Sequence, residues 1–151
     1  MRRYRTFRAF LSSRPGDQLR VALSALLLVS VSIGFIIGSF SRIRHSLLRL
    51  CGPASLFVPG NPAAERVVSA VDAADRQVPG DRTCLMRSLT AEALLRLYGF
   101  TPEHRIGVTK ATDTEMKAHS WLELRDDVLI GDLENLSRYE PLPSLEMVDR
   151  V

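Results

Sequence analysis

The longest apolar stretch of the chain, Val21 to Phe40, holds no charged residue in twenty consecutive positions. As a helix it is long enough to cross a bilayer. Gly34 and Gly38 lie four apart on it, a spacing that suits close helix packing in lipid or in protein. Length alone leaves a spanning helix, a buried helix and a membrane-surface helix all open. The next segment, SRIRHSLLRLCG, sets Arg against Ile and Leu at helical spacing and then meets Gly52-Pro53, which predicts a helix stop followed by a loop.

Beyond that loop, NPAAERVVSAVDAADRQ places Ala64, Val67, Val68, Val71 and Ala74 on one helical stripe. Asn61 is the expected cap, Pro62 the first helical position, and Pro79-Gly80 the limit. Thr83 to Tyr98 reads as another helix, with Leu85, Leu89, Leu94, Leu95 and Leu97 apolar and Gly99 as its stop. The period then changes to two. HRIGVTKA, AHSWLELR and DVLIGDL predict three short strands, the last two joined by a tight turn near Asp126-Asp127. From Tyr139 on, Pro141 and Pro143 suit an extended strap. Helices followed by a small antiparallel sheet make an α+β fold. The division falls at the Gly52-Pro53 stop: residues 1–52 form a basic N-terminal region with the hydrophobic helix, and residues 53–151 the second domain.

Charge changes the picture of the first part. The net charge of +3 hides nine Arg and one acid in residues 1–50, against eleven Lys or Arg and sixteen acids in the remainder. These arginines flank an apolar run and have few aromatics among them, so a membrane surface or a protein partner is expected and nucleic acid is not. Cysteine usage excludes more. Cys51 and Cys84 are the only two, and with no CxxC or HxxH pattern the sequence predicts no metal site. The apolar run has no A-x-A site after it, so export is not expected, and both thiols are read as free in a reducing cytoplasm, with membrane association open.

Chemistry enters at Cys84, which follows the Pro79-Gly80-Asp81 turn and starts a helix. The positive end of a helix and its unpaired N–H groups favour a thiolate; the ordinary alternative is a small buried hydrophobe. In AHSWLEL, strand alternation puts His119, Trp121 and Glu123 on one face and Ser120, Leu122 and Leu124 on the other. Asp132 ends the following strand, where a suitable hairpin register brings it beside His119. Cys84, His119 and Asp132 are the parts of a thiol triad: nucleophile, proton shuttle and orienting carboxylate. Trp121 is a candidate substrate contact, and Arg87 is either structural or a holder of a substrate carboxylate. Glu123 is expected to be exposed, His104 to be a surface-loop residue, and His45 to sit among the arginines, so neither of these histidines is the expected base.

The ordered set TCLMRSLTAEALLRLYGF, HRIGVTKA, KAHSWLEL and VLIGD, about Ala63 to Asp132, resembles the transglutaminase-like cysteine peptidases of lasso-peptide biosynthesis. The similarity is to the stand-alone B protein that removes the leader peptide. Ser120 stands where alanine is common in that family. The resemblance implies a papain-like or transglutaminase-like core with Cys84, His119 and Asp132 as catalytic residues and no cofactor. It also implies a precursor peptide as substrate, a small leader-recognition partner, and an asparagine-synthetase-like cyclase that uses the freed amine. Two other functions fit the same residues: an acyl transferase passing the acyl group to an amine, and a membrane-associated binding module whose triad is vestigial.

Overall fold

The computed structural model describes residues 14–110 and 115–143, so the first thirteen residues of the basic region and the end of the tail lie outside the described residues. Among the described residues, four α-helices precede a four-stranded antiparallel sheet: α1 (Pro15–Ile37), α2 (Phe40–Ala54), α3 (Ala64–Gln77) and α4 (Cys84–Leu97), then β1 (Glu103–Lys110), β2 (Met116–Leu124), β3 (Asp127–Ile130) and β4 (Glu140–Pro141). The strand order is β3-β2-β1-β4. This is the α+β arrangement expected from the change of period.

Helix α4 is the hub. Ser88 through Leu95 are all buried, because α1, α2, α3 and the sheet each pack on it. The stripe of α3 faces it, with Val67, Val71 and Ala74 fully buried. From the sheet side Leu122 and Ile130 complete the core, and Val21, Leu23, Leu27 and Leu47 of the first two helices pack against the same cluster. The N-terminal helices therefore share one core with the rest. At Gly34 an added Cβ would lie 3.2 Å from Ile43 Cγ1, so this glycine lets α2 fold back closely on α1.

Several boundaries differ from the pattern. α1 begins at Pro15, six positions before the uncharged run, because Pro is well placed in a first turn. α2 runs through Gly52-Pro53 and ends at Ala54, so the proline sits in the last turn. α3 starts at Ala64 behind Ala63, with no side-chain cap, so Asn61 and Pro62 lie before the helix. The β2–β3 turn is made by Arg125 and Asp126, both with positive φ (53° and 69°), and Asp127 already belongs to β3. The tail strap is short: Glu140 and Pro141 pair with Val108 and Gly107 on the sheet edge, where proline is tolerated.

Candidate active site

The segment before Cys84 is fixed from behind. Arg82 donates to the carbonyls of Val78 and Gly80 and its Nε lies 2.8 Å from Asp75 Oδ1, which ties the Pro79-Gly80 turn to α3. Thr83 then caps α4, its Oγ1 accepting from Met86 N at 3.3 Å. Cys84 is the first residue of the helix and half-buried, with its thiol free. One turn on, Arg87 donates to Asp72 Oδ1 at 2.6 Å and reaches Asp75 at 3.4 Å, so its guanidinium is engaged by α3.

His119 comes from β2, directly across from Gly107 of β1. That glycine is required by packing: an added Cβ would meet Trp121 Cη2 at 2.8 Å and Tyr139 Cβ at 3.0 Å. Trp121 is thereby laid flat on β1, buried, with its Nε1 donating to Glu123 Oε1 at 2.7 Å. The imidazole of His119 stacks with Trp121 (centroids 6.2 Å apart, 16° between planes) and lies against Tyr139 at 5.5 Å. Its Nε2 donates to the carbonyl of Gly131 at 2.6 Å. A carbonyl only accepts, so the proton is on Nε2 and Nδ1 of the neutral ring keeps a free lone pair.

Gly131 is placed by a β-bulge. Glu123 pairs with Val128, but the next pair is Leu122 with Ile130, which leaves Leu129 as the extra residue. The register before the bulge, if continued, would set Asp132 directly opposite His119. The register after it moves Asp132 level with Ser120 and delivers the Gly131 carbonyl to the imidazole. Gly131 has φ +84°, and an added Cβ would lie 2.6 Å from Ser120 O. No other residue fits there without displacement.

A cavity of about 320 Å³ gathers these groups. Asp72, Cys84, Arg87 and Ser88 line it from the helices, and His119, Ser120 and the Leu129 to Leu133 segment from the sheet. Cys84, His119, Asp132 and Arg87 thus share one cavity wall; Trp121 does not line it. Asp132 is exposed, and among the described residues no hydrogen bond joins His119 to Asp132 or to Cys84.

Behind the site runs a buried polar chain that the periodicity did not show. His104, expected on the surface, is 3% exposed. Its Nδ1 donates to Glu92 Oε2 at 2.7 Å, and its Nε2 shares a 2.7 Å hydrogen bond with Ser120 Oγ. Arg44 of α2 donates twice to the Glu92 carboxylate, at 2.8 and 3.1 Å, and Phe40 sets its ring edge-on to His104. Burial pushes the Glu92 carboxyl up, but the hydrogen bonds from His104 and Arg44 more than offset it, and the group is held below its ordinary value. The chain ends at the strand that carries His119, where Ser88 Oγ also donates to Ser120 O at 3.1 Å. Tyr139 was missed for lack of any local signal, and the Gly131 carbonyl because a backbone group has none.

The sequence profile of the Transglutaminase-like superfamily matches residues 25–144, most of the chain, and the protein belongs to that family. Its members include cysteine peptidases and acyltransferases, both of which need a thiol beside an imidazole. The match begins within α1, well before Ala63. Comparison with curated proteins and with solved structures gives no match.

Proposed function

We propose that the protein is a cysteine peptidase that removes the leader from a ribosomally made lasso precursor peptide. The observation that carries the thiol chemistry is that Cys84, at a helix N-terminus, and His119, held through Nε2 with Nδ1 free, line the same cavity. The Cys84 thiol passes its proton to His119 Nδ1, and the thiolate attacks the carbonyl carbon of the last leader residue. The C–N bond breaks as the imidazolium of His119 gives its proton to the leaving amine, and a thioester remains. Water, deprotonated by His119, then releases the leader carboxylate and regenerates the thiol. The Gly131 carbonyl fixes the ring throughout, and Asp132 contributes negative charge from the cavity wall. Arg87, engaged by Asp72 and Asp75, keeps the first turn of α4 on α3.

The finer reading, leader removal in lasso maturation, is supported by the ordered motifs C-L-x-R-S-L and A-H-x-W-x-E. It carries with it a leader-binding partner and an ATP-dependent cyclase. Mass spectrometry of a leader–core precursor incubated with the full chain tests it. A single cut with uptake of one water, absent in Cys84→Ala, is expected. A product joined to an added amine would assign an acyl transferase instead, and an intact precursor with its partners present would refute both.

A further inference from the structure

Helix α1 is apolar on the face it packs and on the face it leaves open. Arg20, Ser24, Leu28 and Val31 are its buried residues, with Arg20 paired to Asp17 and Ser24 Oγ donating to Arg20 O at 2.8 Å. The opposite face is open and apolar: Leu19, Leu26, Val29, Ile33, Ile36 and Ile37, of which Ile36 and Ile37 are 85% and 80% exposed. At 100° per residue these six fall within an arc of about 100° and run for about 27 Å. The inner face already holds the aliphatic residues that pack on the core, so a second, wholly aliphatic face turned to solvent departs from the pattern of a helix in water.

Exposed positive charge follows on the next helix. Ile43 packs on Gly34, so α2 returns along the end of α1. The α2 sequence FSRIRHSLLRLCGPA holds no acid. Arg44 turns inward to Glu92, whereas Arg42, His45 and Arg49 are exposed. Further along, Leu50, Leu56 and Phe57 are also exposed. An exposed aliphatic helix face followed by a helix with exposed arginines and no acid suits an anionic interface. The stripe lacks the Trp, Tyr or Arg anchors that carry affinity between proteins.

We propose that this surface docks on an anionic lipid bilayer, with α1 lying flat in the headgroup region, its outer face at the acyl boundary and Arg42 and Arg49 against lipid phosphates. The helix lies in the membrane and does not cross it. Its inner face is fixed on α3 and α4, and crossing would bring Arg20 into hydrocarbon and strip that packing. No residue lining the cavity belongs to α1 or α2, so docking leaves the cavity open. The proposal stands apart from the peptidase reading, since its readout needs no substrate.

The test is co-sedimentation of the full chain with phosphatidylcholine vesicles, with and without phosphatidylglycerol. Binding that requires phosphatidylglycerol and weakens with added salt is expected. Ile33→Ser with Ile36→Ser should lower partitioning by roughly tenfold or more, and Arg42→Glu with Arg49→Glu should remove the preference for the anionic vesicles. Both pairs are solvent-facing, so melting curves should match wild type. Absence of vesicle binding would overturn the proposal, as would unchanged binding in the isoleucine pair. So would a dimer in solution that the isoleucine pair dissolves while vesicles are ignored, which would make a second copy the occupant. Retention in membranes after alkaline carbonate extraction would mean that α1 crosses, against the proposal.

Discussion

Cys84 and Cys51 have opposite surroundings. Cys51 is 4% exposed, and burial pushes its thiol up, whereas Cys84 is half-buried at a cavity wall. Iodoacetamide should therefore label Cys84 in the native protein and spare Cys51, as read by peptide mass spectrometry. Labelling of Cys51 at equal rate would contradict the burial. Cys51→Ala should leave cleavage intact while Cys84→Ala abolishes it. The role of Asp132 is decided by one further substitution. Because a main-chain carbonyl holds His119 Nε2, Asp132→Asn is expected to keep the rate within about tenfold of wild type. A loss on the order of 10⁴, the scale seen when the orienting carboxylate of a triad becomes an amide, would return that role to Asp132.

At the scale of elements, the bulge at Leu129 sets what His119 meets, and its end point is Gly131. Gly131→Ala requires a positive φ of an L-residue and a Cβ within 2.6 Å of Ser120 O. It should cost about 1–3 kcal/mol of stability and lower activity more than Asp132→Asn does. Comparison of melting temperature and turnover for the two variants checks this; the reverse order would place the orienting group elsewhere. The hairpin itself was legible, since alternation in AHSWLEL and DVLI marks two strands. Its register was not, because one extra residue costs little locally and is selected by how the strands pack on α4. The mis-set start of α3 has a similar origin: Asn61 and Pro62 are good helix openers, yet the first residue with a buried place is Ala64.

For the molecule as a whole, the Arg44–Glu92–His104–Ser120 chain ties the N-terminal helices to the strand that carries His119. Glu92 is fully buried and its carboxyl is held below the ordinary value, near 4.3 for a free glutamate. A depressed pKa adds stability that is complete above the unfolded value and is lost as pH falls through the folded one. Thermal melts of the wild type should therefore decline in that acid range. Glu92→Gln should be less stable at neutral pH by about 3–5 kcal/mol, as when a buried ion pair loses one partner, and its acid decline should be shallower. Parallel acid limbs in the two proteins would show that Glu92 is not the group responsible. The sequence by itself determined the four helices, the three longer strands, the apolar faces of α3 and α4, and the place of Cys84 at a helix start. Each of these is written in local periodicity and in turn residues. It also carried the family, through motifs within a few residues of one another. Tertiary structure alone decided that Arg44 turns inward while α1 leaves an aliphatic face open, that His104 is buried, and that the bulge gives His119 a carbonyl. Those outcomes depend on partners far apart in the chain, such as Arg44 and Glu92 at 48 positions. Burial makes such pairing obligatory, because an unpaired charge inside a core costs more than any local preference supplies.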